Sequence, residues 1–200
     1  MEPDASPKQV PRADARRNRE QVLEAARACF AEFGHAAQMD AIAKRAGVSV
    51  ATVYRHFPDK ASLFETLVAE NSRRVGVFAR AALEESDVWQ AFSGFLLRCA
   101  ELQAQNRGLC EALVEGFADD RWAAVIAESG AMDATAALIA RGQDAGVIRA
   151  DARPGDVPLI IGGLAATILG GGGPLGGNWR RHLAICLDGL RAPAASQLPG

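Results

Sequence analysis

Six side chains able to donate hydrogen bonds fall within one short stretch: Ser49, Thr52, Tyr54, Arg55, His56 and Lys60. Hydroxyls, a guanidinium, an imidazole and an ammonium suit phosphate oxygens and base edges, and their spacing suits no bond-making chemistry. Val50 and Ala51 precede them, and small residues at the start of a short helix let it lie close to bases in a major groove. Val53 and Phe57, four apart, face inward and leave Thr52, Tyr54, Arg55 and His56 outward. Lys60 falls in the first turn of the next helix, where an ammonium and backbone N–H groups together hold a phosphate.

Further cations lie nearby. Lys44 and Arg45 form a basic face that adds long-range attraction, and Arg16 and Arg17 oppose the dipole at the start of the first helix, which an external anion would relieve. Catalytic and metal patterns fail by contrast. His35, His56 and His182 lack H-E-x-x-H spacing, no G-x-S-x-G occurs, and Asp119-Asp120 reads as a helix start. Gly171-x-Gly173-x-x-Gly176 matches a dinucleotide fingerprint but follows a helix and not a strand, so it reads as a loop. Cys29, Cys99, Cys110 and Cys186 have no C-x-x-C spacing and read as buried thiols of a reducing cytosol. The expectation is no enzyme, no cofactor and no metal.

The elements that must position these residues are helices. Alanine supplies 40 of 200 residues, and no stretch alternates with period two long enough for a strand. Val22, Ala26, Cys29, Phe30 and Phe33 make the first apolar face, ended by Gly34. Met39, Ile42, Ala43 and Ala46 make a second, ended by Gly47, whose freedom at positive φ suits a sharp turn. Ser49 caps the third helix, Val48 plugs the angle between the two, and Asp59 caps a longer helix bearing Leu63, Phe64, Leu67, Asn71, Val75 and Phe78. The texture changes near 80–88. The resulting expectation is an all-α chain of about nine helices: a flexible arm at 1–15, a three-helix helix-turn-helix domain at 16–60, a connecting helix at 61–80 and a larger helical domain at 81–200.

The formal net charge of −2 speaks against a nucleic-acid partner until it is read by segment. Residues 8–60 carry ten basic and six acidic residues, whereas 81–200 carry nine and fourteen. A basic domain is cancelled by an acidic one. The N-terminus has no apolar signal region, and the uncharged stretch 157–179 is interrupted by GGGGPLGG at 170–177, so the expectation is a cytoplasmic, nucleoid-associated protein without a membrane span.

Gln21 to Leu67, containing AARACFAEFG and MDAIAKRAGVSVATVYRHFPDKASLF, closely resembles the N-terminal domain of the TetR-type transcriptional regulators. More weakly, GVIRADARPGDVPLIIGGL and HLAICLDGLRA resemble the variable C-terminal half of some members. The resemblance implies that the Gly47-Val48-Ser49 turn leads into a recognition helix. Ser49, Val50, Ala51, Thr52, Tyr54 and His56 would approach bases or phosphates, and Lys60 would grip the backbone. It further implies a homodimeric repressor on a pseudo-palindromic double-stranded operator, released by a small effector. Gln38-Met39 stands where members have a capping Thr or Ser, and Asp40 would repel phosphate, which moves DNA contact toward the third helix and the arm.

In the C-terminal half, Trp89, Phe92, Phe95, Leu96, Phe117, Trp122, Met132 and Leu138 are candidates to line an apolar effector cavity, with Arg98, Glu101 or Arg141 as a polar anchor. Leu159, Gly162, Gly163, Ala166, Leu183, Leu187 and Leu190 are candidates for a four-helix dimer interface formed by the last two helices, as in the family. An activator of the same fold would carry every one of these motifs. A helical ligand carrier or enzyme with an incidental helix-turn-helix would instead sequester or turn over ligand without binding DNA.

Overall fold

The computed structural model describes residues 12–106, 108, 110–111, 124, 126–170, 177–193 and 196–199. Among them the elements are helices, with one isolated antiparallel bridge between Ile148 and Arg191: α1 (Arg12–Phe33), a 3-10 turn (Gly34–Ala36), α2 (Met39–Ala46), α3 (Val50–His56), α4 (Lys60–Leu83), α5 (Val88–Ala104), α6 (Ala131–Asp144), α7 (Asp156–Leu169) and α8 (Trp179–Leu190). Phe117, Trp122 and residues 171–176 of the glycine-rich loop lie outside the described residues, as do residues 1–11 of the expected arm. α1 runs from Arg12, so residues 12–15, expected in the arm, are helical, with Asp14 in the first turn complementing the helix dipole.

Two apolar cores hold the helices together. The first gathers Val22, Ala26, Cys29 and Phe30 of α1, Ile42 and Ala43 of α2, Val53 of α3, and Phe57 with Leu63, Phe64, Leu67 and Val68. Phe64 meets Phe30 edge-on at 5.1 Å between ring centres. Phe33, placed by periodicity on the same face, is 48% exposed at the end of α1. The second core joins Ala79 and Ala82 of α4 to Phe92, Phe95 and Leu96 of α5, Leu138 and Ile139 of α6, Leu164 of α7 and Leu183 and Leu190 of α8.

The texture change at 80–88 marks only the end of α4 and the capping of α5 by Asp87, which accepts from the Gln90 N–H at 2.9 Å. The division between cores falls earlier, inside α4, between Val68 of the first and Val75 at the edge of the second. α4 is therefore one continuous rod shared by both. α6 packs along it, and Gly76 permits that: a Cβ there would stand 3.4 Å from the Ala131 Cα. α7 and α8 pair with each other and with α5. No helix among the described residues is long and apolar enough to cross a membrane.

Candidate nucleic-acid interface and ligand cavity

The turn between α2 and α3 is set by local hydrogen bonding. Gly47 takes φ +69, its N–H reaches the Lys44 carbonyl at 3.3 Å, and the Val48 N–H reaches the Ala43 carbonyl at 3.1 Å. These two bonds close a Schellman motif, and Val48 packs against the first core as its hydrophobic complement. Ser49 then caps α3: its Oγ accepts from the Thr52 N–H at 3.2 Å and stands 2.9 Å from Thr52 Oγ1. Seven residues are too few for a helix to persist alone, so cap and core must hold α3 in place.

Val53 and Phe57 are buried, as their spacing predicts, and they fix which face α3 turns outward. That face carries Val50, Ala51, Tyr54 and Arg55, all exposed, with Thr52 half-buried and committed to the cap. His56 departs from the expectation of an outward donor. It is half-buried, and its Nε2 is sealed from solvent with no hydrogen-bond partner among the described residues. Burial, reinforced by the charges of Arg55 and Arg19, pushes its pKa below the ordinary histidine value. Lys60 is half-buried, and its Nζ lies 3.4 Å from the Ala37 carbonyl, which ties the start of α4 to the linker before α2.

Around this face, Arg16 and Arg17 are exposed on α1, Arg16 lying 3.6 Å from Glu20, and Lys44 is exposed on α2. Arg45 is less available than a solvated basic residue, because its guanidinium donates to Glu32 of α1 at 2.8 Å. Gln38 makes no side-chain cap bond and instead donates to the Ala36 carbonyl at 3.0 Å. Asp40 occupies the first turn of α2, where a carboxylate favours the helix dipole, so its charge has a local structural role.

A second feature lies where α4 passes from one core to the other. A cavity of about 130 Å3 is bounded by Val68, Asn71, Ser72 and Val75 of α4, Cys99 and Gln103 of α5, Ile126, Ala131, Met132 and Thr135 on the α6 side, and Val157, Pro158 and Ile161 of α7. Of the residues expected around an effector, Met132 lines it. Phe92, Phe95, Leu96 and Leu138 are instead fully packed in the second core, and Trp89 lies at that core's edge beneath the Arg191 guanidinium, 4.0 Å from its ring centre.

The expected polar anchors are used elsewhere. Arg98 pairs with Glu85 at 3.0 Å, Glu101 pairs with Arg180 at 3.1 Å, and Arg141 donates to the Leu83 carbonyl at 2.9 Å and to the Ala82 and Glu85 carbonyls, closing the C-terminal end of α4. Among the described residues the cavity's polar groups are Asn71, Ser72, Gln103 and Thr135; of these the sequence pattern placed only Asn71 on an inward face, and none was expected at a cavity. A signal existed for Gln103. It continues the apolar series Phe92, Leu96, Cys99 at helical spacing, and an uncharged polar residue on a buried face asks for a partner.

On α7 and α8 the structure separates the expected interface residues. Leu159 is 74% exposed, and Gly163 and Ala166 share its outward face, while Gly162 and Leu187 are half-buried. Leu183 and Leu190 turn inward into the second core, and Ile185, 62% exposed, stands on the outer face of α8 instead. The spacing of α8 puts residues 183, 187 and 190 on one stripe, which faces the protein's own core.

Two family models match. Residues 22–67 match bacterial regulatory proteins of the tetR family, and residues 87–192 match the SbtR-like transcriptional regulator C-terminal domain. A TetR transcription regulatory protein from Mycobacterium vanbaalenii is 32% identical and superimposes with a TM-score of 0.60 over 90% of this chain and 99% of that one. The HTH-type transcriptional repressor KstR of Mycolicibacterium smegmatis is 32% identical over 104 residues, 51% of either chain. This chain thus spans about half the length of that relative. FadR of Bacillus subtilis, solved in complex with stearoyl-CoA, shares the fold at 20% identity, with a TM-score of 0.61 over 86% of this chain and 98% of that one.

Proposed function

Since the chain belongs to the TetR family of transcriptional regulators, we propose that it is a cytoplasmic, homodimeric repressor that binds a pseudo-palindromic DNA operator and is released by a small, largely apolar effector, with no catalytic step of its own. The observation that carries this reading is the outer face of α3. Val50 and Ala51 offer a low surface at its start, and Tyr54 and Arg55 project beside them from a helix held at its back by Val53 and Phe57. Such a face meets base edges and phosphates together. Two copies related by a two-fold axis would set two α3 helices into major grooves about 34–36 Å apart. The exposed face of α7 and α8, with Leu159, Gly163, Ala166 and Ile185, is the surface on which the copies would pair.

The effector reading rests on the cavity's place. It touches α4 at the break between the cores, and α5, which lines it through Cys99 and Gln103, leads toward Gly108, where a Cβ would come within 2.8 Å of Phe30 Cβ in the DNA-binding core. A ligand that prefers one arrangement of α4 and α5 would shift the population toward one spacing of the two α3 helices.

Titration of DNA from the chain's own upstream region at increasing KCl tests the DNA reading. Expected is salt-sensitive binding, with Arg55→Ala weakening affinity and reducing the log–log salt slope by about 1 if Arg55 meets a phosphate. Binding without salt dependence, or no preference over unrelated DNA, would refute it.

A further inference from the structure

Among the described residues, the cavity between the two cores is walled mostly by carbon, with Asn71, Ser72, Gln103 and Thr135 as its polar groups and no charged side chain. Cys99 adds no charge either, because burial pushes its thiol up to about 12. Thr135 has already spent its hydroxyl hydrogen on the Ala131 carbonyl at 2.8 Å. Gln103 is different. It is 2% exposed, and its Nε2 has no hydrogen-bond partner among the described residues. Its main chain is held in α5, and its carbonyl receives the Cys110 Sγ–H at 3.3 Å, so the side chain is offered from a fixed point.

Buried amide donors are nearly always satisfied, and one left alone at the wall of a cavity marks where an acceptor belongs. A charged group in the same place would lose its hydration and meet no counter-charge among the described lining residues. Size narrows the choice further: a cavity of roughly 150 Å3 holds a benzene molecule, and this one is about 130 Å3.

We propose that this cavity takes an uncharged, ring-sized compound bearing one hydrogen-bond acceptor, such as a ketone oxygen, and that Gln103 selects it by donating its amide N–H to that oxygen. The inference deepens the effector reading and rests on it only for the consequence on DNA. The ligand chemistry stands on the cavity alone.

Headspace partitioning of volatile probes over the full-length protein tests it. Cyclohexanone and methylenecyclohexane share a ring and differ in O against CH2, and cyclohexanecarboxylate, which is involatile and is followed by equilibrium dialysis, adds a charge. Expected is binding of both neutral probes, with the ratio of their association constants, ketone over alkene, falling roughly tenfold in Gln103→Leu. Gln103→Met, which keeps the side-chain length, should show the same fall if the leucine variant does not fold. Preferred binding of the carboxylate, a ratio unchanged in the substituted protein, or no binding of either neutral probe overturns the proposal. A gel-shift arm with cyclohexanone separates the two readings. A Gln103-dependent ratio without DNA release upholds the ligand chemistry and overturns the effector reading; DNA release with an unchanged ratio does the reverse.

Discussion

Replacing Gly47 isolates a single physical effect at the centre of the DNA-reading motif. The residue sits at φ +69, and a Cβ added there would meet nothing within 4 Å, so bulk is not what selects glycine. What remains is backbone strain. An L-residue in the left-handed region loses about 1–2 kcal/mol through its Cβ and the following carbonyl. Against this, alanine narrows the unfolded ensemble, an offset of about 0.4–1 kcal/mol. Gly47→Ala should therefore cost about 1 kcal/mol net, which for a chain of this size lowers Tm by roughly 2–4 °C. Asparagine tolerates the left-handed region better than alanine, so Gly47→Asn should fall between alanine and wild type. Thermal unfolding by circular dichroism, run on all three proteins at one concentration, reads the order directly. An alanine variant as stable as wild type would refute the strain argument. So would an asparagine variant less stable than alanine, since that would point to side-chain bulk.

If the proposed homodimer pairs through α7 and α8, the paired substitution Leu159→Arg with Ile185→Arg should leave the fold intact, because both side chains are exposed, and halve the mass seen in analytical ultracentrifugation; an unchanged mass would refute this face as the contact. Asp151 links pH to the C-terminal segment. The Arg149 guanidinium, with help from the Leu198 N–H, holds its carboxyl well below the ordinary range. A carboxyl depressed in the folded state adds stability above its unfolded value of about 3.9, and that contribution is lost as pH falls below it. Urea midpoints measured between pH 6 and pH 2 should therefore decline less steeply for Asp151→Asn, and parallel curves would exclude this ion pair as a contributor.

Much of the DNA-facing half is legible residue by residue. The helix stop at Gly47 and the cap at Ser49 depend on partners within about six positions, which a linear reading covers, and the inward pair Val53 and Phe57 shows in its spacing of four although its core partners lie on other helices. The weak cap at Gln38 is visible in the same way. The effector half is less legible because an apolar side chain looks the same in a core as in a cavity wall. Phe92, Phe95, Leu96 and Leu138 have the residue types of a pocket, yet they are buried in the second core. Their aromatic and branched bulk is what makes them good core residues.

Charge was misleading for a related reason. Arg98, Glu101 and Arg141 stood out as polar anchors because they interrupt apolar stretches, but each meets a partner from another part of the chain. Arg141 lies 58 positions from Leu83, and Arg180 lies 79 from Glu101. No periodicity reports such pairings.

By itself, then, the sequence determined the helical character of the chain, the turn that sets α3 and the segregation of basic from acidic charge. The first shows in the apolar periodicity, the second in bonds between near neighbours and the third in composition. Only the tertiary structure decided that α4 runs unbroken through both cores, that the cavity opens where those cores part, and that Gln103 stands at its wall with an amide donor unpaired among the described residues. Those outcomes depend on how four helices fill a shared volume, and packing in three dimensions leaves no spacing in the chain by which to read it.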